Sequence, residues 1–553
     1  MRSPLFIILL GLLFCFGCKS ENNNNVLHPK HVRSAQYIFG LNFTDQEIDT
    51  VMSTLERCLS GYQKMRENPL DHNVIPAFHF DPRPEGYNAP KGNSLFNHPP
   101  IPDVGLPADL QAIAFYSVPQ LASLLRSRKI SSRALTELYL DRLDKLDQKT
   151  ESVITFTRER AFLFADQADR DFEAGIIKSG LQGIPYGVKD LAALPEYPTT
   201  WGAAPYKDQV IDDTAEIIRK LDKAGAVLIA KLSSGELANG DVWFNGRTKN
   251  PWDLEQGASG SSAGPGAATA AGLVGFSIGT ETWGSILSPS TRCGITGLRP
   301  TFGRVSRHGV MPLAWTLDKI GPMCRTAAGC GYVFESIIGF DEKDRSTSDY
   351  PVYYDAQSDI NKLKVGYLKD VFENDTTYVG LNGRASIEKI KEFGVSVEET
   401  ALPDKLPWSD LMYYIIRGEA STIFDELMKE NEDDLLTRKT RFSRANSLRA
   451  GEFIPAVAYI QANRHRTNLI QQMDSLFQEY DILCVLSQGS DQSAISNLTG
   501  HPAISVPNGF DKERRPTSII FLGKLYDEGT LLTLAHRYQS ETDFESLIPP
   551  GFE

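Results

Sequence analysis

An amphipathic helix is the first regular element that the pattern of apolar and polar residues predicts. Thr44 and Glu47 have the spacing of a capping box, and apolar residues follow at helical intervals over the next five turns. We therefore predict a helix that begins near Asp45. The segment 69–102 is rich in proline and shows no sustained hydrophobic period, so we expect an extended connection across a surface there.

Helices and strands alternate through the rest of the chain. The predicted elements are, in order, one helix within 117–147, one within 159–175, a strand ending at Lys189, a helix at 214–225, strands at 226–232 and 361–368, helices within 409–477, and a strand at 480–487. This alternation predicts an α/β fold in which helices cover a large, mostly parallel or mixed β-sheet.

The first twenty residues have the layout of an export signal. Arg2 is followed by an apolar run, 5–16, which is too short to cross a membrane as a helix. A small residue and Cys18 then precede an Asn-rich stretch, which resembles a bacterial lipoprotein signal, although Cys15 stands where such signals usually carry Leu. We expect export to the cell envelope, acylation of Cys18 and anchoring to a bacterial membrane. A signal that is simply cleaved is the alternative.

These patterns divide the chain into three parts. We predict a signal peptide over 1–17, then a tether, a helical extension and the Pro-rich connection over 18–110, and one large domain over 111–553. A chain of 553 residues with 41% hydrophobic residues can bury a large core.

Charge and cysteine usage argue against several functions. The 57 Lys and Arg against 70 Asp and Glu give a net charge of -13, so we expect no nucleic-acid partner. Beyond Cys15 and Cys18, which lie in the signal segment, the five remaining cysteines form no close CxxC pair, and Walker A and GxGxxG motifs are both missing, so we predict no metal and no cofactor. Cys324 and Cys330 could pair in an oxidising compartment, but buried free thiols are the commoner case.

Residues suited to catalysis concentrate in a Gly- and Ser-rich stretch, 257–301. Its turns flank an Ala-rich helix candidate at 263–272 and can present backbone N–H groups, as an anion or oxyanion site requires. The stretch holds no histidine, which leaves a Ser-His-Asp hydrolase little support. Lys189, at the end of a predicted buried strand, is the better candidate base because burial lowers the pKa of an amine.

At this point the chain resembles a known family, the amidase signature hydrolases. The motifs that carry the resemblance are "GIPYGVKD", "AGAVLIAKLSSGELA", "NPWD", "GSSAG", "GTETWGS", "CGITGLRPT", "LDKIGPM", "GHPAISVPNGF" and "LYDEGTLL", in an order and spacing that span roughly 117–544. The resemblance implies a large mixed sheet wrapped by helices, so that 111–553 is the amidase domain, and hydrolysis of amides through a Ser-Ser-Lys triad.

Carried over by position, the resemblance assigns roles to individual residues. Lys189 matches the triad lysine, Ser261 the bridging serine and Ser285 the nucleophile, 24 positions after Ser261. The family also implies a cis peptide before Ser261 and a supporting hydrogen-bonding role for Ser262. The implied oxyanion hole consists of the backbone N–H groups of Thr282, Trp283, Gly284 and Ser285.

Three positions depart from the family pattern. Glu281, Trp283 and Leu287 stand where the family usually has Asp, Gly and Arg. We expect an ordinary backbone conformation at Trp283, since a positive φ would be strained there, and a role for its side chain as a pocket wall. Leu287 lacks the positive charge of the usual Arg, which some members of the family use near a substrate carboxylate or in a structural ion pair.

The main hypothesis is an exported, membrane-tethered amidase that hydrolyses a small carboxylic amide, non-peptide or small and peptide-like, such as a linear amide or an amino-acid derivative. A second is the A-type component of a glutamyl-tRNA amidotransferase, against which the signal peptide and the missing Arg both count. A third is a non-catalytic, amide-binding lipoprotein, which retention of Lys189, Ser261 and Ser285 disfavours. The expected partners are a small-molecule amide and, through the lipid anchor, a membrane. Neither the particular amide nor the oligomeric state can be inferred from the sequence.

Overall fold

The computed structural model describes residues 27–72, 74–403, 406–487 and 491–553. The predicted signal peptide and Cys18 lie outside these ranges. The chain divides into two compact units, one up to Pro69 and one from Leu70 onward. Among the described residues, none of the helices combines the length and apolar character that crossing a bilayer requires.

The described part of the first unit, from residue 27, contains two helices, α1 (Pro29–Phe39) and α2 (Asp45–Arg66). The predicted start of α2 is confirmed. Its N-cap Thr44 accepts a hydrogen bond from the Glu47 backbone N–H at 3.3 Å, and the Glu47 carboxylate accepts one from the Thr44 N–H at 2.7 Å. This reciprocal pair satisfies two backbone donors that the first turn of the helix leaves unpaired.

The second unit is built on an eleven-stranded mixed sheet. In chain order its strands are β1 (Val153–Phe156), β2 (Pro185–Lys189), β3 (Val227–Leu232), β4 (Phe276–Glu281), β5 (Thr296–Arg299), β6 (Lys319–Cys324), β7 (Lys364–Leu368), β8 (Ser396–Thr400), β9 (Ile482–Leu486), β10 (Ala503–Phe510) and β11 (Pro516–Gly523). Their spatial order is β8-β7-β9-β11-β10-β5-β6-β4-β2-β3-β1.

Parallel pairs flank an antiparallel centre in this sheet. Strands β3, β2 and β4 are mutually parallel, as are β8, β7 and β9, whereas every pair between β4 and β9 is antiparallel. Every residue of β2 and β3 is buried, as expected of parallel strands covered on both faces. The predicted α/β class with a large mixed sheet is therefore confirmed.

Helices cover the sheet. They are α3 (Val118–Arg126), α4 (Ser132–Thr150), α5 (Arg158–Glu173), α6 (Glu216–Lys223), α7 (Ala263–Ala270), α8 (Leu287–Cys293), α9 (Ala327–Ile337), α10 (Lys369–Asn374), α11 (Tyr378–Glu392), α12 (Trp408–Ile423), α13 (Asp425–Lys429), α14 (Arg444–Gly451), α15 (Ala456–Glu479), α16 (Gln492–Leu498) and α17 (Glu528–Gln539).

The prediction of a single helix within 117–147 was wrong, because two helices, α3 and α4, occupy it. Arg128 adopts a left-handed φ of 55°, which ends the first helix. Three residues later the Ser131 hydroxyl accepts a hydrogen bond from the Ala134 N–H at 3.0 Å and caps the second. The hydrophobic pattern of 117–147 continues through the turn between α3 and α4, so the pattern alone does not reveal that the helix ends there.

The Pro-rich stretch after Leu70 is extended, as predicted, and it packs on the rest of the second unit. Leu95–Asn97 pairs in parallel with Tyr353–Asp355. Upstream of that pair, the Phe80 ring lies 5.0 Å from the Phe302 ring and 3.4 Å from the guanidinium carbon of Arg466. These contacts explain why residues 70–110 group with the large unit although they carry little regular structure.

Candidate active site

The Lys189 side chain is the centre of a buried hydroxyl cluster. Strand β2 ends at Lys189 and lies beside β4 in parallel register, so that Lys189 and Thr280 emerge at the same end of the sheet. The Lys189 Nζ lies 2.7 Å from Ser261 Oγ, 2.9 Å from Thr280 Oγ1 and 3.2 Å from Ser262 Oγ. Lys189 itself is 1% exposed, so these hydroxyls replace the water that a surface ammonium would bind.

Burial lowers the pKa of Lys189 well below its ordinary value of 10.5. The positive charge of Arg444 lowers the pKa further, while the carboxylates of Asp318 and Glu281 act in the opposite direction. Desolvation is the largest of these effects. A neutral amine in this position can accept a proton from a neighbouring hydroxyl group.

Ser261 and Ser262 stand in a tight turn that leads into α7. The Gly260–Ser261 peptide is cis, as the family resemblance implies. A side chain at Gly260 would place a Cβ 1.9 Å from the backbone oxygen of Gly240, so only glycine fits there. Ser262 Oγ accepts from the Thr280 N–H at 3.1 Å and donates to the Thr280 carbonyl at 3.0 Å, which ties the turn to β4.

Ser285 lies in the loop between β4 and α8, next to that turn. The Ser262 N–H donates to the Ser285 carbonyl at 3.2 Å. Ser285 is 9% exposed, and its hydroxyl makes no hydrogen bond to any residue that the structure describes. To act as a nucleophile, this hydroxyl would need a hydrogen bond to the lysine-bonded Ser261, whose turn lies next to it.

The backbone N–H groups from Thr282 to Ser285 form a row of unused donors. None of the four has an acceptor within the described part of the chain. Trp283 has no positive φ, as expected, and the left-handed residue of this loop is Gly284, with φ 80°. Unpaired donors in a partly buried loop are suited to hold a developing oxyanion.

A buried carboxylate fixes the end of this loop. Glu281 accepts hydrogen bonds from the Ile286 and Leu287 N–H groups at 2.9 and 3.1 Å, and from Arg299 and Asn497 at 2.7 and 3.0 Å. Burial alone would raise the pKa of Glu281, but the charges of Arg299 and Lys319 and these hydrogen bonds bring it to about 2. The side chain is therefore a permanent anion that clamps the loop.

A second carboxylate supports the other side of the loop. Asp318 accepts from the Thr282 hydroxyl and from the backbone N–H groups of Leu313 and Ala314, the latter two at 2.7 and 2.9 Å. Three donors thus fix its orientation beside the hydroxyl cluster. Asp318 belongs to the "LDKIGPM" motif, the signal in the sequence that could have identified it.

Trp283 and Leu287, the two apolar departures from the family pattern, face different surroundings. The Trp283 ring packs edge to face against Tyr413 of α12, with ring centres 5.0 Å apart. The Tyr413 ring also lies 4.5 Å from the guanidinium carbon of Arg417. Leu287, by contrast, is 4% exposed and contributes to the core. Trp283 is thus braced by α12 at the edge of the site.

A cavity adjoins the hydroxyl cluster. Thr280, Thr282 and Asp318 line it on the side of the cluster. Most of the remaining wall is apolar, formed by Leu191, Val310, Met311, Leu313, Trp315 and Ile320. His72 and Ile75, from the extended stretch after Leu70, also line it, as do the polar or charged side chains of Arg307, His308, Lys319, Lys343 and Asp344. The wall of this cavity therefore combines apolar side chains with several polar and charged ones, as a site for a small molecule can.

The structure brings the predicted residues Lys189, Ser261 and Ser262 into direct contact and joins Ser285 to them through the main chain. Their catalytic roles stay predictions. Sequence reasoning did not single out Thr280, although it lies within "GTETWGS" and supplies the third hydroxyl to Lys189.

Comparisons with known proteins agree on one family. The model of the Amidase family matches residues 134–488. The chain is 32% identical over 480 residues to the A component of the glutamyl-tRNA(Gln) amidotransferase of Acinetobacter baumannii, covering 78% of this chain and 96% of that protein. It is 34% identical to the protein of the same name from a Marinomonas species, covering 78% and 98%.

A solved structure shares the fold. The native peptide amidase from Stenotrophomonas maltophilia superposes with a TM-score of 0.70 at 24% identity, covering 79% of this chain and 98% of that one. The family match, the extent of the relatives and the common fold lead to one conclusion. The chain belongs to the amidase family and is an enzyme that acts on amides.

Proposed function

We propose that the protein hydrolyses a small linear carboxylic amide through an acyl-enzyme formed on Ser285. The observation that carries the proposal is the 2.7 Å contact between the buried Lys189 Nζ and Ser261 Oγ. The residue after Ser261, Ser262, is joined to Ser285 by a backbone hydrogen bond. These contacts support a relay in which Lys189 is the base, Ser261 passes the proton and Ser285 is the nucleophile.

In the first half-reaction, neutral Lys189 takes the proton of Ser261, and Ser261 takes the proton of Ser285. Ser285 Oγ bonds to the amide carbon, and the carbonyl oxygen becomes an oxyanion. The same relay then delivers the proton to the nitrogen, the C–N bond breaks, and the amine leaves. Low basicity of Lys189 matters here because an ammonium group could accept no proton.

The oxyanion would bind the unused N–H groups between Thr282 and Ser285. Such donors are most effective when they are fixed before the reaction. Glu281 and Asp318 hold the two sides of the loop that carries them. In the second half-reaction, water gives a proton to the relay and its oxygen bonds to the acyl carbon. The bond from that carbon to Ser285 Oγ then breaks, the relay returns the proton to Ser285 Oγ, and a carboxylic acid leaves.

A second candidate function is that of the A component of an amidotransferase. It is favoured by the relatives of that name, which match over 78% of this chain. Such a role requires partner proteins, so it predicts a stable complex on purification from the native cell. The non-catalytic alternative predicts amide binding without turnover.

We also propose that the protein is exported and lipid-anchored through Cys18, as the signal layout indicates. Placement outside the cytoplasm would separate it from tRNA and so favours the amidase over the amidotransferase component.

A screen of the purified protein against a library of amides tests the proposal. Ser285→Ala should remove turnover of every substrate found. Ser540→Ala, at an exposed serine that follows α17, serves as the matched control and should retain it. Turnover that persists in Ser285→Ala contradicts the proposed nucleophile, and the absence of turnover with bound amide favours the non-catalytic alternative.

A further inference from the structure

The connection between α1 and α2 exposes a group of large apolar side chains. Five of the seven residues from 37 to 43 are aliphatic or aromatic and are between 38% and 90% exposed: Tyr37, Ile38, Phe39, Leu41 and Phe43. We call this group the apolar tip of the first unit. Single exposed apolar residues are common on proteins, whereas a run of this kind marks a surface that meets a partner or a membrane.

Polar contacts hold this connection in shape. Gly40 follows the last turn of α1 with a left-handed φ of 64°. The backbone N–H groups of Gly40 and Leu41 donate to the Gln36 carbonyl, the second of them at 3.0 Å, and the Phe43 N–H donates to the Gln36 side chain. The turn thus satisfies the carbonyl at the end of α1. It forms without burying the apolar tip.

The outer face of α1 adds positive charge beside the apolar tip. Lys30, Arg33 and Tyr37 follow at intervals of three and four residues, which places them on one side of the helix, and all three are exposed. Arg33 pairs with Asp45 at 2.7 Å, whereas Lys30 forms no ion pair with any residue that the structure describes. Residues 27–44 contain no Asp or Glu, although the whole chain has a net charge of -13. A basic stretch in an acidic chain favours an anionic surface as its partner.

This combination of side chains matches the chemistry of a bilayer interface. Tyrosine rings have an apolar body and a polar end, which suits the level of the lipid headgroups, and Phe and Leu side chains enter the boundary with the acyl chains. Lysine is attracted by anionic headgroups. Aliphatic, aromatic and cationic groups of α1 and its turn are therefore complementary to anionic lipid.

The chain that precedes α1 is short. Cys18 comes nine positions before residue 27, and nine residues span at most about 30 Å. With Cys18 acylated as proposed, α1 would be held within that distance of the lipid surface. A weak contact becomes effective under such a tether, because the local concentration of its partner is high.

We propose that the apolar tip and Lys30 bind the surface of an anionic lipid bilayer, as a contact additional to the acyl anchor. The proposal concerns the first unit by itself and does not depend on amide hydrolysis. A few side chains at the interface bind reversibly and far more weakly than several acyl chains. Cell fractionation should therefore still follow Cys18, and the additional contact has to be measured without the anchor.

The test uses a protein that starts at Lys19, which lacks the signal segment and Cys18 but keeps every residue that the structure describes. Cosedimentation with vesicles over a series of lipid concentrations gives its partition coefficient. One set of vesicles contains phosphatidylglycerol and phosphatidylethanolamine, and the other contains phosphatidylcholine alone. We expect measurable binding that is stronger to the anionic vesicles and that weakens as salt is added.

Two variants divide the contact into its apolar and charged parts. Tyr37→Ser combined with Ile38→Ser should lower the partition coefficient roughly tenfold on anionic vesicles, because two exposed apolar side chains are lost. Lys30→Gln should lower it about fivefold on anionic vesicles and leave it unchanged on phosphatidylcholine.

The matched control is Tyr62→Ser combined with Met65→Ser. These side chains are 55% and 65% exposed and lie near the other end of α2, about 25 Å along the helix from its start. The control removes a similar apolar area from the same unit, and it should keep the wild-type partition coefficient. An equal loss in the control and in the tip variant overturns the assignment to the tip.

Other outcomes also decide the proposal. Equal binding to both kinds of vesicle, or no binding to either, overturns it. Sedimentation velocity without lipid measures self-association, and a dimer that the Tyr37 and Ile38 substitutions dissociate would make a second copy the partner of the tip and overturn the proposal. Circular dichroism checks folding, and if the double variant does not fold, Leu41→Ser takes its place. Acylation is tested separately by Cys18→Ser, since the protein used here lacks that residue.

Discussion

The backbone N–H of Ser262 donates to the carbonyl of Ser285 at 3.2 Å. This bond couples the turn that carries Ser261 to the loop that carries Ser285. The spacing between Ser261 and Ser285 is therefore set by main-chain geometry as well as by packing. Side-chain substitutions at either serine should leave this spacing intact, which makes them clean tests of chemistry.

Removal of the Lys189 amine should abolish turnover without unfolding the protein. We expect Lys189→Met to lower kcat by roughly ten-thousandfold, since members of a catalytic triad act as a unit. The isosteric apolar chain fills the same buried space, so thermal unfolding should change little. Lys129→Met, at an ion pair with an exposed Asp103, is the control and should keep full activity. Turnover within tenfold of the wild type in Lys189→Met would refute the assignment.

The pH dependence of kcat/KM should report the buried lysine. Only the neutral amine can accept a proton, so activity should rise with pH through the pKa of Lys189, which lies well below 10.5. In Arg444→Gln one repulsive charge is lost, the pKa of Lys189 rises, and the acidic limb should move to higher pH. A pH series with a neutral amide measures the limb in both enzymes. If the acidic limb of Arg444→Gln stays in place or moves to lower pH, the charge of Arg444 does not lower the pKa of Lys189.

Glu281 should make stability sensitive to acid. Its pKa is held at about 2 in the folded protein, against an ordinary value of 4.5. The carboxylate therefore contributes stability that is complete above about pH 4.5 and is lost as pH falls toward 2, on the order of 3 kcal/mol. Chemical denaturation at a series of pH values measures this component, and Glu281→Gln should lack it.

Glu281→Gln should also destabilise the protein at neutral pH, by about 3 kcal/mol, because Arg299 would stay buried without its counter-charge. Asp103→Asn, which removes an exposed carboxylate, is the comparison and should change stability by less than about 1 kcal/mol. Equal stability of wild type and Glu281→Gln would show that the ion pair contributes nothing to the loop.

Trp283 should control the size of substrate that reaches the loop. Trp283→Ala removes the ring that packs on Tyr413 but keeps the backbone N–H. We therefore expect larger changes in KM than in kcat, and larger changes for bulky amides than for acetamide. Steady-state kinetics on a size series checks this. If wild type and Trp283→Ala have the same KM for every amide of the series, the Trp283 side chain does not form a wall of the substrate pocket.

The anchoring hypothesis makes a prediction of its own. Cys18→Ser should move the protein from the membrane fraction to the soluble fraction, because the acyl chains supply the binding energy. Cys58→Ser, at an exposed thiol in α2, is the control. Unchanged fractionation of Cys18→Ser would count against lipidation.

Local sequence signals sufficed for much of the fold. Strand β2 and its terminal Lys189 follow from one apolar run, and the start of α2 follows from one capping box. The break between α3 and α4 was missed because it depends on the backbone angle of Arg128, which the hydrophobic period does not encode.

The site was predictable where motifs carry it and unpredictable where distant residues complete it. Lys189, Ser261 and Ser285 lie in recognisable motifs. Asn497 reaches Glu281 from 216 positions away in the chain, and Arg444 meets the turn at Leu237 from 207 positions away. No local pattern specifies such meetings, because they arise only when the sheet and its helices assemble.

The extended stretch after Leu70 also bears on how the enzyme can be produced. A shortened chain that starts at residue 111 would keep the whole region matched by the family model. It would nevertheless lose His72 and Ile75 from the cavity and Phe80 from its place between Phe302 and Arg466. Such a protein would expose apolar surface and open one wall of its pocket, so expression for structural or kinetic work should begin at or before Leu70.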